Sequence, residues 1–407
     1  MSVEVHIDWA EQTRFVGIIH SATRSPTLTF EYAPEWLTSQ DAFAIDPTAL
    51  PLRRGPHHSQ ALFGAMQDCG PDRWGRLLIE RAVRKQVLDR KPYQDLDYVL
   101  VLDDASRIGA LRFRASADAP FLAAGNGNIP PLVKLAALLN AADAVHSETD
   151  TASDLRYLLG QGSPLGGARP KSAIVLPDGR FAIAKFPKPD DIRDIAAGEI
   201  LALTLAQRAG IRVAGHRRVT VAGSSVALIT RFDREGARRI PFISANSLLG
   251  LPPGEAGAYT LLADGIRQFG HHVTADLGEM WRRLVYSLLV SNYDDHLRNH
   301  GFLMLAPGRW ALSPAYDLNP VPEMDRTQMP ATPISERQEP PAIAAALAAA
   351  PRFGLHATAA RAILREVFTA VSGWRHAGKA LRIKASTLDA YATAFDNPLM
   401  AEAGKLA

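Results

Sequence analysis

The sequence predicts an α+β protein, with strand patterns gathered in its earlier part and helical stripes in its later part. Three observations carry this. The runs VEVHIDW, RFVGIIH and LTFEYAP, separated by polar or turn-like residues, open the chain as a small antiparallel sheet. SAIVLP and FAIAKFP flank DGR, an Asp-Gly hairpin signal. Beyond about residue 240 strand signals fade, and LGEMWRRLVYSLLVS places Leu277, Met280 or Trp281, Leu284 and Leu288 on one helical stripe.

The elements between follow in order. In DRWGRLLIERAVRKQVL, Trp74, Leu77, Leu78 and Val83 fall near one helical face and the basic residues on the other, which reads as solvated surface. The Pro, Gly and Asn of DAPFLAAGNGNIP mark a boundary near residues 115–131, and the next helix turns Leu132, Leu135 and Leu139 inward. A glycine-rich stretch, GSPLGGARPK, precedes the hairpin. AAGEILALTLAQRAG reads as a helix closed by Gly210, and HRRVTVA and SVALITRFD complete a small mixed sheet. Near the C-terminus Ile363, Val367, Val371 and Trp374 share a helical register, and alanine-rich AIAAALAAA forms a short helix because alanine is the best helix former. The expected divisions are residues 1–118, 119–240 and 241–407.

Composition narrows the function classes. The 407 residues, 47% hydrophobic and 21% charged, suffice for more than one core. A net charge of +3 makes nucleic-acid binding a matter of local patches only. The lone Cys69 excludes an intramolecular disulfide and reads as buried core. No stretch has the apolar length of a membrane span, so a cytoplasmic location is expected. With neither HExxH nor GxSxG present, zinc-protease and serine-hydrolase chemistry are disfavoured.

The polar run SNYDDHLRN is either a solvated turn or a reaction site. Asp294 and Asn299 are five residues apart, the spacing of protein-kinase catalytic loops, where an aspartate serves as base and an asparagine holds a metal. Asp317 follows a hairpin-like GFLMLAPGRWALSP, where kinases place a metal-binding aspartate. Lys185 ends the second hairpin strand after the glycine-rich stretch, a place for a phosphate-binding lysine. Each has a plainer reading. Lys185 alone reads as a surface lysine, Asp317 as an N-cap or turn residue, and Gly166 and Gly167 as a tight turn. GSPLGGARPKS is not a P-loop. His296 reads as a structural group positioning the loop, and Asp295 as solvent-facing or turn-capping.

Taken together, FEYAPEWL, DCGPDRWGR, DDASRIGALRF, GSPLGGARPK, AKFPK, GEILALTLAQRAGI, LITRFDR, NYDDHLRNHGF and SPAYDLNP resemble the HipA-type serine/threonine kinases, toxins of bacterial HipBA toxin–antitoxin modules. The resemblance implies a protein-kinase-like two-lobed fold with an N-terminal α/β subdomain and a mostly helical C-terminal lobe. It implies Asp294 as catalytic base, Asn299 and Asp317 as magnesium ligands, and Lys185 with Gly166 and Gly167 as ligands of ATP phosphates. The adenine hinge falls at the backbone of Arg231 and Phe232, and Ser163 is the autophosphorylation site that silences the kinase. The implied partners are a small helix-turn-helix HipB-like antitoxin, which brings the toxin to DNA indirectly, and a protein substrate such as an aminoacyl-tRNA synthetase. Tyr316-Asp317-Leu318 departs from the Asp-Phe-Gly of conventional kinases. Two alternatives stay open: an interaction module acting as corepressor with its DNA-binding partner, and a small-molecule kinase.

Overall fold

The computed structural model describes residues 1–21, 27–71, 73–123, 132–161, 169–252 and 255–407. Ser163, Gly166 and Gly167, singled out from the sequence, lie outside the described residues. The chain forms two compact units, one of Met1–Asp190 with Val219–Ile243 and one of Asp191–Arg218 with Ser244–Ala407.

The first unit begins with β1 (Ser2–Trp9), β2 (Gln12–Ser21), β3 (Leu28–Tyr32), β4 (His57–Ser59) and β5 (Leu111–Arg114), an antiparallel sheet in the order β4-β3-β2-β1-β5. The period of two buries Val3, Val5 and Ile7 on one face of β1. Gly17 is required here, because a Cβ would stand 2.2 Å from the Glu31 carbonyl oxygen across the β2–β3 pair. Cys69 is buried, and burial pushes its thiol up to about 12.

The helix Arg73–Arg84 buries Trp74, Leu78, Ile79 and Ala82. Its basic face is largely solvated as expected, with Arg73, Arg84 and Lys85 exposed and Arg76 in a surface pair with Asp95 at 2.7 Å; Arg81 is the exception, pairing with the buried Asp150 at 2.6 Å. Together with helices Leu135–His146 and Ala152–Gln161, it packs on a sheet containing β6 (Lys171–Val175), β7 (Phe181–Lys185) and β9 (Ser224–Thr230). The division between units falls within β8 (His216–Val221). Asp178-Gly179 makes the β6–β7 turn, with Gly179 at φ 82°. The β6–β7 and β7–β9 pairs are both antiparallel, where a mixed sheet was expected. A small hairpin of β10 (Arg234–Glu235) and β11 (Arg238–Arg239) and the start of β12 (Phe242–Ser244) close the unit.

The second unit is mostly helical. Helix Ile195–Arg208 is capped by the Asp194 carboxylate, which accepts from the Ala197 N–H at 2.8 Å. It ends before Gly210, whose φ of 78° suits the left-handed residue of a helix stop. Helix Val273–Leu289 buries Leu277, Met280, Trp281, Leu284 and Leu288, so Met280 and Trp281 both face the core. Helix Ala357–Ser372 turns Leu364, Val367 and Val371 inward, with Ile363 only half-buried, and Trp374 opens the next helix. The AIAAALAAA segment forms the helix Ile343–Ala349. A hairpin of β13 (Gly301–Ala306) and β14 (Arg309–Leu312) follows the polar run at 291–300 and leads into the segment carrying Asp317. Among the described residues, no helix is long and apolar enough to cross a membrane.

Candidate functional site

Strand register places Lys185. Ala182 and Ala184 of β7 enter the helix-covered core, while Phe181 and Ile183 pack on the other side of the sheet around Ala173, the side that Lys185 shares by alternation. Directly across the β6–β7 pair lies Lys171. On the other flank Lys185 is in register with Ala227 and Ile183 with Ile229. One sheet face thus carries two lysines beside small and branched apolar residues, a combination suited to a polyanion attached to a flat apolar group. Lys171 was missed as a candidate because it stood at the end of a glycine-rich stretch rather than at the start of β6. The period-two match of KSAIV to FAIAK was the available signal.

Behind this sheet, Arg231 and Phe232 follow β9. The Arg231 N–H donates to the Phe181 carbonyl at 2.8 Å. The Arg231 side chain is buried and donates to the Asp233 carboxylate and to the carbonyls of Ser106, at 2.5 Å, and Arg107, at 3.1 Å. Asp233 also accepts from the Gly109 N–H at 2.8 Å and from Arg234 at 2.6 Å. Burial alone would raise the Asp233 carboxyl, but the guanidinium groups of Arg231 and Arg234 override it and hold it well below the usual carboxylate range. Arg239 and Arg112 extend the network to Asp104 at 2.9 and 2.7 Å. The Arg231 side chain is therefore committed to the fold, which leaves only backbone for a ligand at this position.

In the second unit the 291–300 run is a tight loop ending in a 3₁₀ turn, Leu297–Asn299. The Asn299 Nδ2 donates to the Asp294 backbone carbonyl at 3.0 Å across the five-residue interval. With the amide nitrogen so engaged, the Asn299 Oδ1 is left as a hard oxygen donor. The Asp294 side chain is exposed, as are those of His296 and Arg298. Partial desolvation raises the Asp294 carboxyl above its ordinary value; His296 opposes the rise, and the negative charges of Asp317 and Asp295 add to it.

Asp317 belongs to this group. It adopts a left-handed backbone, φ 57°, and Asn319 Nδ2 donates to its Oδ1 at 3.0 Å and to its carbonyl at 3.2 Å. The Tyr316 hydroxyl donates to the Arg298 carbonyl at 2.8 Å, tying this segment to the loop. Asp294, Asn299 and Asp317 are thereby brought together.

Asp295 departs from expectation. It is buried rather than solvent-facing, accepts from the Tyr259 hydroxyl, and lies 3.2 Å from the His300 Nε2. Its backbone carbonyl accepts from the Thr332 hydroxyl at 2.5 Å. Burial raises its carboxyl, yet His300 and the hydrogen-bond donors around it bring the net value below ordinary. The loop is therefore anchored by Asp295, while His296 acts on Asp294 through charge.

Among the described residues, no group of three or more His, Cys, Asp and Glu side chains could hold a metal ion unaided. Magnesium needs no such group, since it is held by one or two carboxylates together with nucleotide phosphates and water. The Asp317 carboxylate and the Asn299 amide oxygen are hard donors of the kind it takes.

A strand lysine on a β-hairpin and an Asp-x₄-Asn loop followed by a further aspartate define a kinase-like fold. The chain belongs to the family of the HipA-like C-terminal domain, whose model matches residues 163–374, and residues 8–114 match the HipA N-terminal domain. It is similar to a Haemophilus influenzae protein named "Putative kinase", 27% identical over 206 residues that make up 44% of this chain and 60% of that protein. It also resembles "Putative kinase Y4dM" of Sinorhizobium fredii, 40% identical over 96 residues, 22% of each chain. The chain thus matches less than two thirds of the length of either relative. A solved chain from the Shewanella oneidensis MR-1 toxin–antitoxin complex of HipA, HipB and operator DNA superimposes with a TM-score of 0.68 at 17% identity, covering 99% of this chain and 97% of that one. At that identity the likeness speaks to fold alone.

Proposed function

We propose that this chain is an ATP- and Mg²⁺-dependent serine/threonine protein kinase acting as a HipA-like toxin. The observation that carries the reading is the convergence of Asp294, Asn299 and Asp317, with Asn299 closing the loop on the Asp294 carbonyl and Asp317 close enough to raise the Asp294 carboxyl. Asp294 accepts or orients the proton of an acceptor hydroxyl. Asn299 and Asp317 hold magnesium, which when bound neutralises charge on the triphosphate. Lys185, with Lys171 opposite it, contacts the nucleotide phosphates, and the backbone at Arg231 and Phe232 receives the base. Gly166 and Gly167 serve the nucleotide phosphates, and Ser163 is a self-phosphorylation site whose added charge silences the enzyme.

The acceptor is a protein, with an aminoacyl-tRNA synthetase as the leading candidate and translation as the process inhibited. The partner is a HipB-like helix-turn-helix antitoxin, a reading supported by the match of residues 8–114 to the HipA N-terminal domain and by the complex in which the Shewanella neighbour was solved. The competing readings, a corepressor without catalysis and a small-molecule kinase, separate in one experiment. Wild type and Asp294→Asn are expressed without partner, growth is followed, and phosphoproteins are identified. Wild type should arrest growth and add phosphate to serine of a defined protein. Asp294→Asn should do neither while binding Mg-ATP normally, with transfer slowed about 10²–10⁴-fold. Equal arrest by both forms would favour the corepressor, and arrest without new phosphoprotein the small-molecule kinase.

A further inference from the structure

Nothing in the proposed chemistry uses Asp295, yet it is the more deeply buried of the two adjacent aspartates, 2% exposed. Its surroundings are assembled from distant parts of the second unit: Tyr259 from helix Tyr259–Phe269, Ser287 from helix Val273–Leu289, Thr332 from the segment after Asp317, and His300 just before β13. A charge is retained there despite the cost of desolvation, which a turn-capping role would not require.

We infer that Asp295, paired with His300, is a positioning residue that aims the Asp294 carboxylate and keeps it in register with Asp317. Two geometric features carry this. First, the loop is crossed twice at the same interval. Asn299 ties the Asp294 carbonyl at 3.0 Å, and His300 faces the Asp295 carboxylate at 3.2 Å. The Asn299 bond fixes the plane of the peptide between the two aspartates and the His300 pair fixes the Asp295 side chain beyond it, so the backbone that carries Asp294 is held on this side by both. Second, a continuous polar chain joins Asp295 to Asp317. Tyr259 donates to Asp295 and lies 3.2 Å from the Ser287 hydroxyl. Asn292 Nδ2 reaches Ser287 at 3.4 Å, and Asn292 Oδ1 accepts from the Asn319 N–H at 3.1 Å. Asn319 in turn holds the Asp317 carboxylate. The exposed base and the second acid are thus referred to one buried anchor.

Among the described residues, Glu339 lines the same small cavity as Asp295, Tyr259, Ser287 and Thr332. Asp294 adjoins Asp295 in sequence, and Arg283 lies near enough to Tyr259 to influence its hydroxyl. The inference rests on the kinase reading above, and its test separates the two. The full chain is incubated with Mg-ATP, and phosphate added to the chain itself is followed by intact-mass spectrometry at several ATP concentrations. The readouts are the limiting first-order rate constant and the ATP concentration giving half of it. A misfolded fraction lowers the amplitude of the time course but leaves the rate constant alone.

Asp295→Asn should lower the limiting rate constant about 10–100-fold, the scale of a misdirected reacting group, with half-saturating ATP unchanged. Should Asp295→Asn fold poorly, His300→Gln reports on the same pair, and the double variant should be no slower than the slower single one, because the two act as a unit. An unchanged rate constant in active Asp295→Asn, or multiplicative losses in the double variant, overturns the positioning role while leaving the kinase reading intact. A parallel rise in half-saturating ATP also overturns it, since the anchor would then serve nucleotide binding. A wild-type chain that transfers phosphate neither to itself nor, from labelled ATP, to any protein of a cell extract overturns the kinase reading itself and the inference with it.

Discussion

The two units hold their candidate ligand residues by different means. In the first, Lys171 and Lys185 sit on paired strands, and the segment after β9 is backed by a network of full charges in which Asp233, Asp104, Arg231, Arg234 and Arg239 are all buried or nearly so. In the second, Asp294 and Asp317 sit on loops, and the backing is one buried carboxylate served by Tyr259, His300 and a chain of neutral amides and hydroxyls. Strand register fixes a lysine through many backbone hydrogen bonds, so no single side chain decides where it points. A loop carboxylate depends on a few individual ties. The first arrangement suits groups that need only present charge, and the second suits groups that must be aimed.

The largest effect should come from breaking the charged network. Asp233→Ala leaves Arg231 and Arg234 buried without their shared carboxylate, and such a loss costs about 3–5 kcal/mol of stability, read as a lowered urea midpoint. A cost under about 1 kcal/mol would mean that the network is no more than a surface ion pair in effect. The pH dependence follows from the direction of the Asp233 shift. Its folded value lies below its unfolded value, so its stabilisation is present above the usual carboxylate range and disappears only as pH falls through the depressed folded value. The midpoint difference between wild type and Asp233→Ala should therefore persist from neutral pH into mild acid.

A middle effect tests the strand-borne lysines. Lys185→Ala should weaken ATP binding about tenfold or more, the loss of one charge-assisted phosphate contact worth about 1.5–3 kcal/mol. Lys171→Ala should weaken it in the same direction, because register alone places it opposite. Both are read by calorimetry on folded protein. Affinity unchanged in both would show that strand placement does not by itself make a ligand.

The smallest effect concerns the loop. Asp317→Asn removes the negative charge that helps to raise the Asp294 carboxyl, so Asp294 should titrate at lower pH in the variant than in the parent when both are metal-free. Carbon-detected NMR of the Asp294 carboxyl measures the shift, and no movement would place the two acids too far apart to belong to one site.

What the sequence could disclose follows the same contrast. Alternation in β1 and the Asp-Gly turn after β6 are local signals, and each lies where it was expected. The Asp294–Asn299 interval is local too, and the loop closes across it. The burial of Asp295 is set by Tyr259, 36 residues earlier, and by Thr332, 37 residues later, contacts that no spacing within SNYDDHLRN encodes. The expected register of the late helix ran through Ile363, Val367, Val371 and Trp374. Val367, Val371 and Trp374 are buried as expected, although Trp374 belongs to the following helix, and only at the first position does Leu364 rather than Ile363 face inward. The antiparallel direction of β9 against β7 was likewise unreadable, because alternation records which face is buried and carries no strand direction.

The left-handed backbone of Asp317 makes that codon an unusual reporter. At φ 57° glycine and asparagine fit at little cost, alanine is strained, and β-branched residues are strained more. If every amino acid were placed at 317, cellular abundance would rank the variants by backbone tolerance, and phosphate transfer would rank them by the presence of a carboxylate. The two rankings would part most clearly at glycine and asparagine, which should accumulate as well-folded, inactive protein. One position would then measure the demands of folding and of chemistry on independent scales.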